Sequence, residues 1–214
     1  MVARIATVAF QGIEVVEVDV QVRVDSGFVN FLIVGLADKA VAESRERVRG
    51  AFAGIGLALP PKRIIVNLDT QMLVAYDNGE EIFRWYISSG VSNAPTSPGV
   101  YQILNHDERA YGSSNTLCDS AGIVCGQWEM NWFMGIYEVI PGLVNGFHGA
   151  VLLPNGNYLG GGNVGAPYTF GCVMSSDENA RMLYEWADVG TIVEIISWEF
   201  PPQSDLGRLA ATNM

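Results

Sequence analysis

The charge of this 214-residue chain changes abruptly near position 67. Residues 1–67 carry 8 Lys+Arg against 7 Asp+Glu, whereas residues 68–214 carry 4 against 16. No lysine follows Lys62. A step that sharp divides the chain into two units of separate origin. The length accommodates one or two domains with a sizeable core. No apolar run is long enough to span a membrane. The acidity of the second unit argues against nucleic acid as its partner, because phosphate binding needs clustered Lys and Arg.

The first unit reads as strands followed by a helix. Glu14 to Val22 is β-branched and partly alternating, and Phe28 to Val34 is a second apolar run. Asp38 opens a helix that places Val41, Val48, Ala51, Phe52 and Ile55 on one face. Gly54 and Gly56 end it, and Pro60-Pro61 marks the exit. Arg45, Arg47 and Arg49 make that helix basic, a pattern that is usually a solvated face.

The second unit is β-rich. Short strands are expected at Ile82–Ser88, Val100–Leu104, Met134–Val139 and Thr191–Ile196. One helix is well marked: Ser175 is expected to cap it, Glu178 to complete a capping box, and Gly190 to end it. Ala180, Leu183, Tyr184 and Ala187 form its buried stripe. The polar stretch after Trp198, with Pro201-Pro202, is expected to be disordered.

The chemistry concentrates at Phe147-His148-Gly149 and Tyr168-Thr169-Phe170-Gly171-Cys172-Val173. A thiol becomes a good nucleophile with a base beside it, and imidazole suits that task near neutrality. Gly171 lets the backbone turn and frees N–H groups to face an oxyanion. The same residues are compatible with a buried structural cysteine and a structural histidine. Gly160 to Gly165 formally matches the dinucleotide pattern G-x-G-x-x-G, but Pro167 and an extended Tyr-Thr-Phe follow where a helix is required. It reads as a loop on the rim of a cleft. Trp128, Trp132, Phe133 and Tyr137 read as core or lid, with Trp128 or Trp132 able to stack on a ligand. Cys118 and Cys125 lie close together in a polar loop. They would bridge in an oxidising compartment and stay free thiols in a reducing one. Zinc with His106 as third ligand is disfavoured, since the pair lacks C-x-x-C spacing. No metal and no organic cofactor are expected.

Taken in order, the blocks of the second unit resemble the L,D-transpeptidase catalytic domain (YkuD type). They are Asp69 to Tyr76 with Asn78-Gly79-Glu80, then Ser88-Ser89-Gly90 with Ala94 to Tyr101. His148-Gly149, Thr169-Phe170-Gly171-Cys172-Val173, and Tyr184 to Val193 complete the series. The resemblance covers roughly 64–197. It implies a β-sandwich carrying the cysteine at one end of a sheet. It also implies an enzyme that attacks the bond after the third residue of a peptidoglycan stem peptide. Cys172, His148 and Gly171 would be catalytic, and Gly149, Tyr168, Thr169, Phe170 and Trp132 would bind substrate. Two positions depart from the family pattern. Phe170 stands where many members have His, and Met174 stands where many have Arg or Asn. Both bear on substrate preference.

The first unit resembles the start of the magnesium-chelatase-like competence ATPases (ComM type), through Ile33 to Asp38, Glu43 to Arg49 and Pro60 to Leu68. In that family this piece opens a domain of the ribosomal S5 domain 2-like fold. No P-loop pattern follows here. Arg63 to Leu68 fits both families.

The expected class is therefore α+β: a β-rich L,D-transpeptidase-like sandwich behind a small strand-and-helix unit. The expected divisions are residues 1–63, 64–197 and a tail at 198–214. The family works outside the cytoplasm, in cell wall or periplasm, yet no export signal is visible in the first residues. Two alternatives remain. One is a catalytically inactive peptidoglycan-binding module with an N-terminal interaction domain. The other is a chimera whose basic helix serves a cytoplasmic partner.

Overall fold

The computed structural model describes residues 2–11, 13–23, 47–48, 50–52, 61–114 and 126–214. At the N-terminus, β1 (Val2–Gln11) and β2 (Glu14–Arg23) form an antiparallel hairpin, from Val2 opposite Arg23 to Gln11 opposite Glu14. The expected strand at Glu14 is present, and β1 is its unforeseen partner. Arg47, Val48 and Gly50 to Phe52 are helical. The run Phe28–Val34, Arg45, Arg49 and most of the expected helix lie outside the described residues, as do Cys118 and Cys125.

Two sheets build the rest. The first contains β3 (Lys62–Asn67), β4 (Met72–Asp77), β5 (Glu80–Tyr86), β6 (Gly99–Gln102) and β11 (Ile192–Ile196). Its order is β5-β4-β3-β11-β6, with β3 and β11 parallel. The second contains β7 (Asn105–Ser114), β8 (Gly126–Ile140), β9 (Leu143–His148) and β10 (Val173–Met174), in the order β10-β9-β8-β7. Strands β7 and β9 went unread in the sequence, because Asn105 to Ser114 is polar and β9 carries two polar residues among its apolar ones. The turn from β4 to β5 was legible. Asn78 and Gly79 take φ values of 51° and 89°, the left-handed pair that a two-residue hairpin turn requires.

Strand β3 reads as a continuous apolar run because it is buried on both faces. Ile64 and Val66 join Leu73, Ile87, Ile103, Met134, Phe147, Val173 and Ile195 in the core between the sheets. Ile65 points the other way, to a smaller cluster with Val74, Tyr76, Ile196 and Ala210. Alternation along a strand makes both assignments at once.

Helix α1 (Asp177–Trp186) closes the main core with Ala180, Leu183 and Ala187. Its cap falls one residue later than expected. Ser175 continues the strand geometry, its N–H donating to the His148 carbonyl at 3.0 Å. The Ser175 hydroxyl accepts from Trp85 Nε1 at 3.2 Å. Ser176 takes the cap, accepting from Asn179 N at 3.2 Å. The expected Ser175–Glu178 box is therefore not made. The helix ends at Trp186, and Gly190, with φ of 90°, shapes the turn before β11 instead.

The expected disordered tail is a helix, α2 (Asp205–Asn213), capped by Ser204, which accepts from Gly207 N at 2.9 Å. What orders it is Glu194 on β11, whose side chain is fully buried. Its carboxylate accepts from Gln203 N at 2.6 Å, Ser204 N at 3.1 Å, the Ser204 hydroxyl, and Arg63 Nη1 at 3.1 Å. A buried carboxylate needs such partners, and the chain after Pro202 supplies three of them.

Candidate active site

Parallel pairing of β9 with β10 sets Phe147 opposite Val173 and His148 opposite Met174. Phe147 and Val173 both enter the main core. Alternation then turns His148 and Met174 to the other face of the pair. Met174 and Cys172 meet an apolar cluster of Met130, Phe133, Val151, Leu153 and Leu159.

The backbone at the cysteine is held by side chains from distant segments. Gly171 has φ of 109°, and a β-carbon there would collide with the Asn145 side-chain amide. Both constraints demand glycine. The Gly171 carbonyl accepts from Thr96 Oγ1 at 3.0 Å and from the Tyr137 hydroxyl at 3.3 Å. The Cys172 carbonyl accepts from Thr169 Oγ1 at 2.6 Å. Thr96 is itself fixed by the Gly90 N–H at 2.9 Å, and bridges at Ser88–Met174 and Gly90–Thr169 tie that segment to the cysteine loop. With both carbonyls engaged, the peptide orientation around the cysteine is set.

The thiol donates weakly to Asn145 Oδ1 at 3.6 Å. Asn145 Nδ2 donates to the Tyr137 hydroxyl at 3.2 Å. His148 is buried, at 2% exposure, and its Nδ1 lies 2.7 Å from the Gly149 carbonyl. A carbonyl oxygen only accepts, so Nδ1 carries the hydrogen and Nε2 the lone pair. Gly149 lacks room for a β-carbon because the Asp177 carboxylate occupies that space, and the same carboxylate accepts from Ala150 N at 3.0 Å. The Gly149 N–H donates to the Asn131 carbonyl at 2.9 Å, just before Trp132, whose φ of 58° is a left-handed kink in β8.

Burial shifts both reacting groups toward neutrality. It pushes the Cys172 thiol up to about 11, opposed in part by the Gly146 backbone N–H. It lowers His148 to about 4, opposed in part by the hydrogen bond to Gly149. Each charged form would lose hydration that the site does not replace. At rest the thiol and the imidazole are both neutral.

The expected site residues separate into two groups. Cys172, Gly171 and Thr169 share one loop, with Thr169 spending its hydroxyl on the Cys172 carbonyl, and β9 pairs His148 with Met174 just past that loop, Gly149 following. Tyr168 packs on the same apolar cluster as the cysteine and against Gly160 of the glycine-rich turn. Phe170 lies against Trp128, ring centroids 6.1 Å apart. Trp132 instead packs edge-on to Tyr184 of α1, at 5.5 Å. His106, raised above as a zinc ligand, also packs on Tyr184, at 4.7 Å, and among the described residues no group of three or more His, Cys, Asp or Glu could hold a metal. Asn145, Tyr137 and Thr96 were missed. Asn145 left a trace, as a polar residue within the apolar run Leu143 to Phe147, where burial requires partners.

Comparison with known proteins places the fold. The YkuD family, described as the L,D-transpeptidase catalytic domain, matches residues 61–195. The family described as subunit ChlI of Mg-chelatase matches residues 20–73. The two matches overlap on β3. An L,D-transpeptidase from Mycobacterium smegmatis superposes with a TM-score of 0.53 at 18% identity, covering 64% of this chain and 58% of that one. An L,D-transpeptidase from Enterococcus faecium gives 0.52 at 19%, covering 65% and 51%. A further L,D-transpeptidase structure, in complex with imipenem, gives 0.51 at 16%, covering 64% and 59%. At these identities the likeness establishes the fold, a β-rich sandwich with few helices. The chain spans under two thirds of the length of these structures. Over 60 residues it is 38% identical to the competence protein ComM of Haemophilus influenzae, covering 28% of this chain and 12% of that protein.

Proposed function

The chain belongs to the L,D-transpeptidase catalytic-domain family, and on that premise we propose that it is a cysteine acyltransferase acting on peptidoglycan stem peptides. The observation that supports the reading is the parallel β9–β10 pairing, which sets His148 opposite Met174, two residues past Cys172, with the imidazole tautomer fixed by the Gly149 carbonyl. The Nε2 lone pair is the base. In the first step the Cys172 sulfur attacks the carbonyl of the third stem residue, and its proton passes to Nε2. Backbone N–H groups around Gly171 and Cys172 hold the oxyanion. The C–N bond breaks and the imidazolium returns its proton to the D-alanine amine, leaving a thioester. An acceptor amine then attacks the thioester and gives its proton to His148. The new amide forms as the thiol is restored, producing a cross-link or a wall attachment. The chemistry needs no metal or cofactor, and a cell-wall or periplasmic setting suits the substrate.

Because both groups rest neutral, attack and proton transfer must be coupled rather than start from a preformed thiolate. The same neutrality, with Phe170 and Met174 in place of polar groups, favours the second reading of an inactive wall-binding module. Intact-protein mass spectrometry after incubation with a carbapenem separates the two. An adduct confined to Cys172 supports the enzyme. A folded protein that never forms one overturns it and leaves the binding module.

A further inference from the structure

One corner of the site holds a hydrogen-bond circuit whose accounting leaves no slack. The Tyr137 oxygen accepts from Ser97 N at 2.8 Å and from Asn145 Nδ2 at 3.2 Å. Both of its acceptor positions are used, so its own hydrogen is committed to the Gly171 carbonyl at 3.3 Å. The ring is braced by stacking on Tyr101, centroids 4.8 Å apart. The Asn145 amide is therefore oriented by Tyr137, nitrogen toward the phenol and oxygen toward the Cys172 sulfur at 3.6 Å. Asn145 is only 8% exposed, so water is a poor substitute for either partner.

A carbonyl oxygen beside the sulfur accepts from a thiol and opposes a thiolate. Turning the amide by half a revolution exchanges the two groups. Nδ2 would then donate to the sulfur, and Oδ1 would accept the Tyr137 hydrogen. The Gly171 carbonyl would keep its bond from Thr96. The turned arrangement takes the Tyr137 hydrogen away from the Gly171 carbonyl, so Tyr137 favours the resting one, and the two differ in which form of Cys172 they favour.

We propose that Asn145 is a positioning residue whose amide, oriented by Tyr137, sets whether Cys172 rests as thiol or thiolate. This rests on Cys172 being the nucleophile of the reading above. The circuit holds the free enzyme in the protonated state. As the proton leaves the sulfur for His148 Nε2 in the coupled step, the amide turns to donate its N–H to the negative charge developing on the sulfur. Other titratable groups at this corner are His148 on β9, Tyr137 on β8, Tyr168 before the cysteine and Asp177 at the start of α1. None of them brings a fixed positive charge to stabilise the thiolate. The pKa of Cys172, raised by burial, is in keeping with such a site.

The test is the pH dependence of Cys172 alkylation by iodoacetamide in the full chain, followed by peptide mass mapping, with thermal melting as a control for fold. Tyr137→Phe frees the amide to turn, and the midpoint should fall by about one pH unit, a tenfold gain in thiolate at a given pH. Asn145→Asp is isosteric and sets an anionic oxygen beside the sulfur, so the midpoint should rise by a similar amount. Asn145→Leu should erase the effect of Tyr137→Phe when the two are combined. Wild-type midpoints in Asn145→Asp and Tyr137→Phe, with melting unchanged, would overturn the proposal. Should Tyr137→Phe fail to fold, Asn145→Asp decides alone. Alkylation needs no transpeptidation. Shifted midpoints in a protein that no carbapenem acylates would sink the enzymatic reading and leave this inference standing.

Discussion

His148 on β9 stands in register with Met174 on β10, in a pairing only two residues long. On its other side Met174 bridges to Ser88, just past β5, so the strand that follows Cys172 is held from both sides.

Removing either partner should silence covalent chemistry without unfolding the chain. Cys172→Ala should give no carbapenem adduct, and Cys172→Ser should be nearly as inactive, since a hydroxyl ionises far less than a thiol. His148→Gln should slow acylation by about 10²–10⁴. Because the active pair is neutral, the wild-type acylation rate should stay nearly level from about pH 5 to 9. Cys118→Ser should leave the adduct unchanged. An adduct that survives Cys172→Ala in intact-protein mass spectra would remove the assignment.

Burial of His148 also links stability to pH. Its pKa is lowered to about 4 in the folded chain, so between that value and the ordinary 6.5 the unfolded chain binds the extra proton. The contribution is full above about pH 6.5 and is lost as pH falls toward 4, amounting to about 3 kcal/mol. Chemical denaturation at pH 7 and pH 4.5 should show that loss in wild type and a smaller one in His148→Gln. Equal losses in both would place the acid sensitivity elsewhere.

The C-terminal helix should be part of the folded unit. Glu194→Ala removes the acceptor shared by Arg63, the Ser204 hydroxyl and the Gln203 and Ser204 N–H groups, and should cost about 3–5 kcal/mol. Glu194→Gln keeps some acceptors and should cost less. Chain ending at Pro202 should melt markedly lower, because Ile65, Val74, Tyr76 and Ile196 lose the cover of Ala210 and its neighbours. Unchanged melting after that truncation would show the helix to be dispensable.

Residues 1–60 should not fold alone. The hairpin β1–β2 leaves Ile5, Val8 and Val15 more than half exposed, and an isolated two-stranded hairpin is marginal in water. Limited proteolysis should cut within this region and leave a fragment beginning near Pro61 that still reacts at Cys172. A cooperative melt of residues 1–60 in isolation would refute this.

Gly171→Ala should be severe for its size. The new methyl meets the Asn145 amide at a backbone angle that alanine resists, costing about 1–3 kcal/mol and displacing the thiol. Carbapenem acylation of Gly171→Ala at a near-wild-type rate would show that the loop has room to adjust.

Local chemistry made much of this protein readable. The Asn78-Gly79 turn, the apolar run of β3, the stripe of Ala180, Leu183 and Ala187, and the glycine before Cys172 each follow from constraints within a few residues. The pairing of one histidine with one cysteine as candidate base and nucleophile came instead from their chemistry and from the resemblance of the blocks around them. The sequence also placed the change of family at Arg63 to Leu68, where the two matches overlap on one central strand. The tertiary structure alone decided what those groups meet. Thr96, Tyr137 and Asn145 reach Gly171 and Cys172 from 27 to 76 positions away. Glu194 and Arg63, set 131 positions apart, combine with Ser204 to turn an expected disordered tail into a packed helix. Hydrogen-bond partners and desolvation depend on which groups share a buried space. Sequence periodicity carries no direct record of that, so the protonation states of Cys172 and His148 emerge only once the sheets have closed.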